Sequence, residues 1–251
     1  MSKFICLNAD VGELPGNEGR ALDRAILDVV TRCSIACGGH AGDTETMTST
    51  VSAARDLAVR IGAHPSYPDR EGFGRSRMNL SDNDLASTLL AQVRTLQAIA
   101  SEFNADVAHL KPHGALYNDA AKSEALAEIV VCICLDTKIP ELIGPPGSAL
   151  HHKAQQAGVS FVAEAFADRS YEADGRLTPR TEEGAVITDE ARQLDQVFSL
   201  VESGSVKART GERIAVPAQT ICLHGDTPGA ARSALLLKKA LLERGVSIKA
   251  Q

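Results

Sequence analysis

Histidines, carboxylates and cationic side chains recur in this chain at the ends of short apolar runs. "LNAD" carries Asn8 and Asp10, "CGGHAGD" carries His40 and Asp43, and "IGAHPS" carries His64 and Ser66. "HLKPHG" sets Lys111 and His113 on either side of a proline. Later, "FVAEAFADR" brings Glu164, Asp168 and Arg169, and "ICLHGD" ends in His224 and Asp226. Such groups support two kinds of chemistry. Two histidines with a carboxylate can hold a divalent cation that activates water, and Asp10, His40 and His64 are the natural trio. Alternatively, His and Asp act as acid and base while Lys and Arg stabilise an oxyanion or bind a carboxylate or phosphate. Arg70, Arg75, Lys111, Arg169 and Arg180 lie in the same segments and favour an anionic substrate.

Each residue also has a plainer reading. A single histidine at a strand end is commonly a structural hydrogen-bonding group. Asp43, just before a helical pattern, reads as an N-cap. "GPPGSAL" could hold an anion at the following helix N-terminus but reads more simply as a turn and cap, and His151 and His152 lie on a helix well past a strand end. The joint pattern decides against the plain readings as a set. Four of the seven histidines end or closely follow different apolar runs, which a solvated face does not produce.

The elements that must position these groups are legible as an alternation. Strand-like runs are "FICLNA", "SIACG", "RIGAHP", "DVAHLK", "ELIGPP", "SFVAEAF" and "TICLHG". Between them lie helical periodicities such as "TETMTSTVSAARDLAV", "NDLASTLLAQVRTLQAIA", "SEALAEIVVCICLD", "SALHHKAQQAG" and "PGAARSALLLKKALLERG". Seven β/α units imply a parallel sheet covered by helices, closed as an irregular seven-stranded barrel in preference to an open doubly wound sheet. No Pro/Gly/Ser-rich linker divides the chain, so a single barrel domain over 1–251 is expected. The polar, turn-rich region 167–218 is read as a long loop over the site with a small hairpin at "VKARTGERIAV". In a parallel barrel the strand C-termini all face one side, so the polar groups converge there.

Composition narrows the function. A formal net charge of -6 argues against a general nucleic-acid binder. No apolar run reaches membrane-spanning length, and the N-terminal "MSKFICLNADVGE" has no signal-peptide pattern. Six cysteines are too few for a disulfide scaffold in a chain this long; Cys6, Cys37, Cys132, Cys134 and Cys222 sit in apolar runs as small buried hydrophobes. Cys33 and Cys37 have no second pair with which to hold structural zinc. A reduced, cytoplasmic protein is expected. Neither GxxxxGK[ST] nor a GxGxxG after the first strand is present, and there is no serine nucleophile elbow.

Taken together, "LNADVGE", "IACGGHAGD", "IGAHPSYPDREGFGR", "HLKPHGALYN", "FADRSYEADGRLTPR" and "QTICLHGD" resemble the LamB/YcsF family, in order and over nearly the whole chain. The resemblance implies an irregular seven-stranded (β/α) TIM-like barrel, similar to the polysaccharide-deacetylase superfamily. It implies opening of 5-oxo-L-proline (pyroglutamate) to L-glutamate coupled to ATP hydrolysis, with Mg2+ accompanying ATP. It further implies one component of a three-part 5-oxoprolinase, the A component, working with two partner subunits, B and C. On this reading Asp10 or His113 is the base, and Lys111 stabilises charge on a phosphorylated lactam oxygen. Arg169 or Arg180 binds the substrate carboxylate, and His40, His64 and His224 complete the site. Asn8, Arg70, Arg75, Glu164, Asp168 and Asp226 are expected around the substrate. Two departures stand out: Gly39 replaces a common aromatic, and "LPGNEGRALD" lacks a common Gly-Phe. Two other roles compete, a metal-dependent N-acetyl sugar deacetylase and a non-catalytic substrate-binding subunit.

Overall fold

The computed structural model describes residues 4–224 and 229–250. Strands β1 (Phe4–Val11), β2 (Arg32–Ala36), β3 (Arg60–His64), β4 (Val107–Leu110), β5 (Glu141–Gly144) and β6 (Ser160–Phe166) follow in order. After an antiparallel hairpin, β7 (Ser205–Lys207) and β8 (Arg213–Ala215), come β9 (Thr220–His224) and the short β10 (Ser247–Ile248). Neighbouring strands pair parallel from β1 through β6, β6 pairs β9, and β9 returns to β1. The result is a closed seven-stranded parallel barrel. β10 adds to β1 outside the ring.

Helices α1 (Gly16–Leu27), α2 (Thr44–Asp56), α3 (Asp82–Glu102), α4 (Gly114–Ala120), α5 (Glu124–Thr137), α6 (Ala149–Ala157), α7 (Glu190–Ser203) and α8 (Ala230–Glu243) fill the crossovers. Several begin on the caps that their sequences announce. Asp43, Ser81, Ser123, Ser148 and Asp189 each accept a backbone N–H of the first turn. The Asp43 and Ser148 readings as plain caps therefore hold. Of the cysteines placed in apolar runs, Cys132 is exposed on α5 and the other four are buried.

Side-chain alternation sorts each strand into two faces. Ile5, Leu7, Ala9 and Val11 of β1, Cys33 and Ile35 of β2, and Ile61 and Ala63 of β3 join the apolar core with the helices. Leu110, Leu142, Ala165, Ile221 and Leu223 do the same for β4, β5, β6 and β9. The alternate positions face the lumen, and there the chain places polar groups. At one end Glu141 bridges Arg32 and Arg60, 2.7 Å from the latter. Buried His109 packs above them against Gly62, where any Cβ would lie 2.1 Å from its Nε2. Toward the strand C-termini the lumen carries Asn8, Asp10, His64, Lys111 and Glu164, all buried. A barrel whose helix-facing side is apolar can hold such a column, because the outer core supplies the burial energy of about 25 cal/mol per Å2 of apolar surface.

Region 167–218 contains the expected hairpin, but it also contains α7, which the polar start of the region does not announce. The amphipathic stretch "EARQLDQVFSLVES" forms that helix and buries Val197 and Leu200.

Candidate active site

Two side-chain constellations meet at the C-terminal mouth of the barrel. The first is built around Lys111, which lies in the extended segment just past β4. Its Nζ donates to Asp10 Oδ1 at 2.9 Å, to Asn8 Oδ1 at 3.3 Å and to Cys222 Sγ at 3.1 Å. Glu164 Oε1 stands 2.9 Å away on the other side. Neighbouring strands supply all four partners, because alternation in β1, β6 and β9 turns these residues inward. Burial disfavours the Lys111 charge, but Asp10, Cys222 and Glu164 outweigh it and hold the ammonium well above its ordinary pKa. Tyr117 of α4 lies beside Glu164; burial and that carboxylate push its phenol well up. Burial also drives the Cys222 thiol well up, against the pull of Lys111.

The second constellation is histidine-rich. His64 Nδ1 lies 2.7 Å from the Lys111 carbonyl, and His113 Nε2 lies 3.0 Å from the Phe73 carbonyl. Their other nitrogens face each other at 3.0 Å. The His40 ring stacks on that of His113 at 3.6 Å, and Phe73 meets both rings edge-on. Glu13 Oε1 is 3.1 Å from His40 Nε2 and 3.4 Å from His113 Nδ1. Gly74 permits this stack: it has φ +62°, and a Cβ there would lie 2.8 Å from His40 Cβ and 3.0 Å from His113 Cδ2. Burial pushes His40 down to about 2 and His113 well below its usual value, with neighbouring imidazoles adding to both. Both rings are therefore neutral at physiological pH.

Asp10 ties the constellations together, with Oδ1 on Lys111 and Oδ2 3.3 Å from His64 Nε2. Above them opens a cavity of about 620 Å3, lined by Asp10, His64, Lys111 and His113 below and by Arg75, Arg169 and Arg180 at the rim. The rim comes largely from the 167–218 insertion. Arg169 donates through Nε to the Ala185 carbonyl and through Nη2 to that of Thr178, drawing the strap inward. Burial, reinforced by Arg180, pulls its pKa down to about 10, so the guanidinium keeps its charge. A buried ammonium, paired carboxylates, neutral imidazoles and a cationic rim suit acid–base attack on a small anionic substrate.

The residues expected from sequence divide as follows. Asn8, Asp10, His40, His64, Lys111, His113 and Glu164 come together, and Arg75, Arg169 and Arg180 face the same cavity. Arg70 instead donates to the Gly38 and Gly42 carbonyls, so it shapes the loop that carries His40. Asp168 is buried next to Arg169 and is not part of the cavity lining. The His224 side chain and Asp226 lie outside the described residues. Of the cation trio, His40 and His64 lie with Glu13 and His113, the four bringing donor atoms within 4.8 Å of one another, and Asp10 sits beside them with Oδ1 on Lys111 and Oδ2 3.3 Å from His64 Nε2. Glu13 escaped the sequence reading although it closes "LNADVGE". Its place two residues beyond β1 was the available signal. Cys222 escaped because a cysteine in an apolar run reads as core, and Phe73 and Tyr117 because nothing in their spacing marks them.

A profile of the LamB/YcsF family matches residues 5–251. The chain is 43% identical to the 5-oxoprolinase A subunit of Methylococcus capsulatus over 252 residues, covering 100% of this chain and 96% of that protein. It is 44% identical to the protein of the same name from Streptomyces coelicolor, covering 98% and 99% of the two chains. Among solved structures, the lactam utilization protein from Thermus thermophilus superposes with a TM-score of 0.89 at 34% identity, over 99% of this chain and 100% of that one. A putative cellobiose-phosphate cleavage protein from Enterococcus faecalis shares the fold, with a TM-score of 0.56 at 13% identity over 99% and 97%.

Proposed function

The chain belongs to the LamB/YcsF family, and from that premise we propose that it is the A subunit of a 5-oxoprolinase. It opens 5-oxo-L-proline to L-glutamate with hydrolysis of ATP, which enters with Mg2+, in company with subunits B and C and in the cytoplasm. Among the described residues no helix is long and apolar enough to cross a membrane. The observation that carries the reading is the buried Lys111, held beside Asp10 at the floor of a cavity with a guanidinium rim. Full-length relatives bearing the same activity in their names support it.

Transfer of the γ-phosphoryl group of ATP to the lactam oxygen releases ADP and makes C5 electrophilic. Water adds to C5 and gives up a proton; the ring C–N bond then breaks and its nitrogen leaves protonated. A second water cleaves the resulting acyl phosphate to glutamate and inorganic phosphate. Asp10 or neutral His113 takes the proton of the attacking water. The Lys111 ammonium stabilises the oxygen on which negative charge gathers, in a site where water does not screen it. Arg180 or Arg169 binds the carboxylate of the substrate, for which a guanidinium offers a bidentate match.

The test is glutamate release from 5-oxoproline, ATP and Mg2+ in an extract that retains the partner subunits but lacks this chain. Wild type restores release and a folded Asp10→Asn variant does not. Failure of wild type, with the partners verified present and compatible, overturns the substrate assignment.

A further inference from the structure

We infer that Glu13, His40, His64 and His113 form a binding site for one divalent transition-metal cation of the zinc class. A carbonyl oxygen only accepts, so the Lys111 carbonyl at 2.7 Å requires the proton of His64 on Nδ1 and leaves a lone pair on Nε2. The Phe73 carbonyl at 3.0 Å places the His113 proton on Nε2 and leaves a lone pair on Nδ1. These two lone pairs face each other across 3.0 Å. Two neutral rings cannot bond there, so the contact calls for one further positive centre.

A proton would satisfy this one pair. A metal ion satisfies more of what surrounds it. Glu13 Oε1 lies 3.1 Å from His40 Nε2 and 3.4 Å from His113 Nδ1, and all four residues offer a donor atom within 4.8 Å of the others. Zinc bonds of about 2.0–2.1 Å set tetrahedral ligand atoms roughly 3.3 Å apart. The close contacts here, 3.0, 3.1 and 3.4 Å, bracket that edge. Backbone carbonyls that fix the outer nitrogens of two ligating imidazoles are the usual supporting partners of such sites. Stacking of His40 on His113 holds the third ring parallel to the second, at an interplanar angle of 3°.

The donor set selects the metal. Three imidazole nitrogens and one carboxylate suit zinc, cobalt or nickel, whereas magnesium and calcium require mostly oxygen ligands. Four protein ligands close a tetrahedron, so the ion fixes the rings at the cavity floor, and with both nitrogens of His113 then occupied the proton of the attacking water goes to Asp10. His64 and His113 also line the cavity, and Asp10 Oδ2 stands 3.3 Å from His64 Nε2.

The site is tested with metal alone, independently of the 5-oxoprolinase reading. Chelator-treated full-length chain is titrated with Zn2+ and with Co2+, followed by calorimetry, visible absorption and histidine ring NMR. We expect one ion per chain, an intense tetrahedral cobalt spectrum displaced by zinc but not by excess magnesium, and shifts confined to the signals of His40, His64 and His113. Glu13→Gln and His113→Ala should each weaken zinc binding on the order of 100-fold or more, since even outer partners of such sites are worth 10- to 100-fold. Binding below stoichiometry, a pale octahedral cobalt spectrum, or unchanged affinity in folded variants overturns the inference. Should both variants fail to fold, the wild-type cobalt spectrum and ring shifts still decide it.

Discussion

Lys111 Nζ and Glu164 Oε1 stand 2.9 Å apart with both side chains sealed from solvent. The ammonium also holds Asp10, so a single cation is shared by two buried carboxylates contributed by different strands of the barrel. Removing it takes the one ammonium from both. Lys111→Met should cost about 3–5 kcal/mol of stability, the usual penalty for leaving a buried charge without its partner. The double variant Lys111→Met/Glu164→Gln should recover much of that loss without recovering turnover. Urea unfolding of the three proteins is the measurement, and a single variant as stable as wild type would sink the idea.

The rim arginines should separate by role. Arg169 is tied to the Thr178 and Ala185 carbonyls, while Arg180 faces the cavity from the strap itself. Arg180→Gln should raise KM for 5-oxoproline roughly ten- to hundredfold with a smaller change in kcat, matching the loss of a charged hydrogen bond worth about 1.5–3 kcal/mol. Arg169→Gln should instead speed amide exchange in residues 178–187. Equal KM effects with no change in exchange would contradict this division.

Asp23 supplies a pH signature outside the site. It is buried on α1 and accepts from Gly12 N at 3.0 Å and Thr50 Oγ1 at 3.1 Å. Burial raises its carboxyl to about 6 despite those hydrogen bonds. A carboxyl whose folded pKa exceeds its unfolded one stabilises the fold fully below the unfolded value of 3.8, and that contribution is lost as pH rises through about 6. Across that window wild type should lose about 3 kcal/mol relative to Asp23→Asn, two units at about 1.4 kcal/mol each. Parallel stability–pH curves for the two proteins would refute it.

Much of the barrel was legible because its period-2 signal is local. "SFVAEAF" forms a strand over the same seven residues, Ser160–Phe166, and Asn8, Asp10, His64, Lys111 and Glu164 do gather at one mouth. Helix α7 was hidden because the turn-rich sequence before it set the expectation for the whole insertion. The site was legible as residue types and obscure as partnerships. Lys111 reads as a strand-end cation, but only closure of the barrel shows that Asn8, Asp10, Glu164 and Cys222 converge on it. Glu13 follows a glycine of positive φ, so its aim at His40 depends on a turn that periodicity does not register. Arg70 lies close to the site in sequence, yet its reach is spent on loop carbonyls.

The pairing of β1 with β9 carries a consequence for how the protein is made. Asn8 donates to Thr220 across a separation of 212 residues, and Asp10 pairs in register with His224. A ribosome therefore delivers the strand bearing Asn8 and Asp10 long before the strand that will lie beside it. Until β9 emerges, one edge of β1 has no neighbour to satisfy its backbone groups, and such an edge is open to pairing with another chain. Contacts so distant in sequence also slow folding, because the loop must close before they contribute. The Lys111 cluster cannot assemble earlier than that last closure, since Cys222 arrives with it. Activity and completion of the barrel are thus a single event, and a nascent chain that stalls before β9 has an exposed seam and no site.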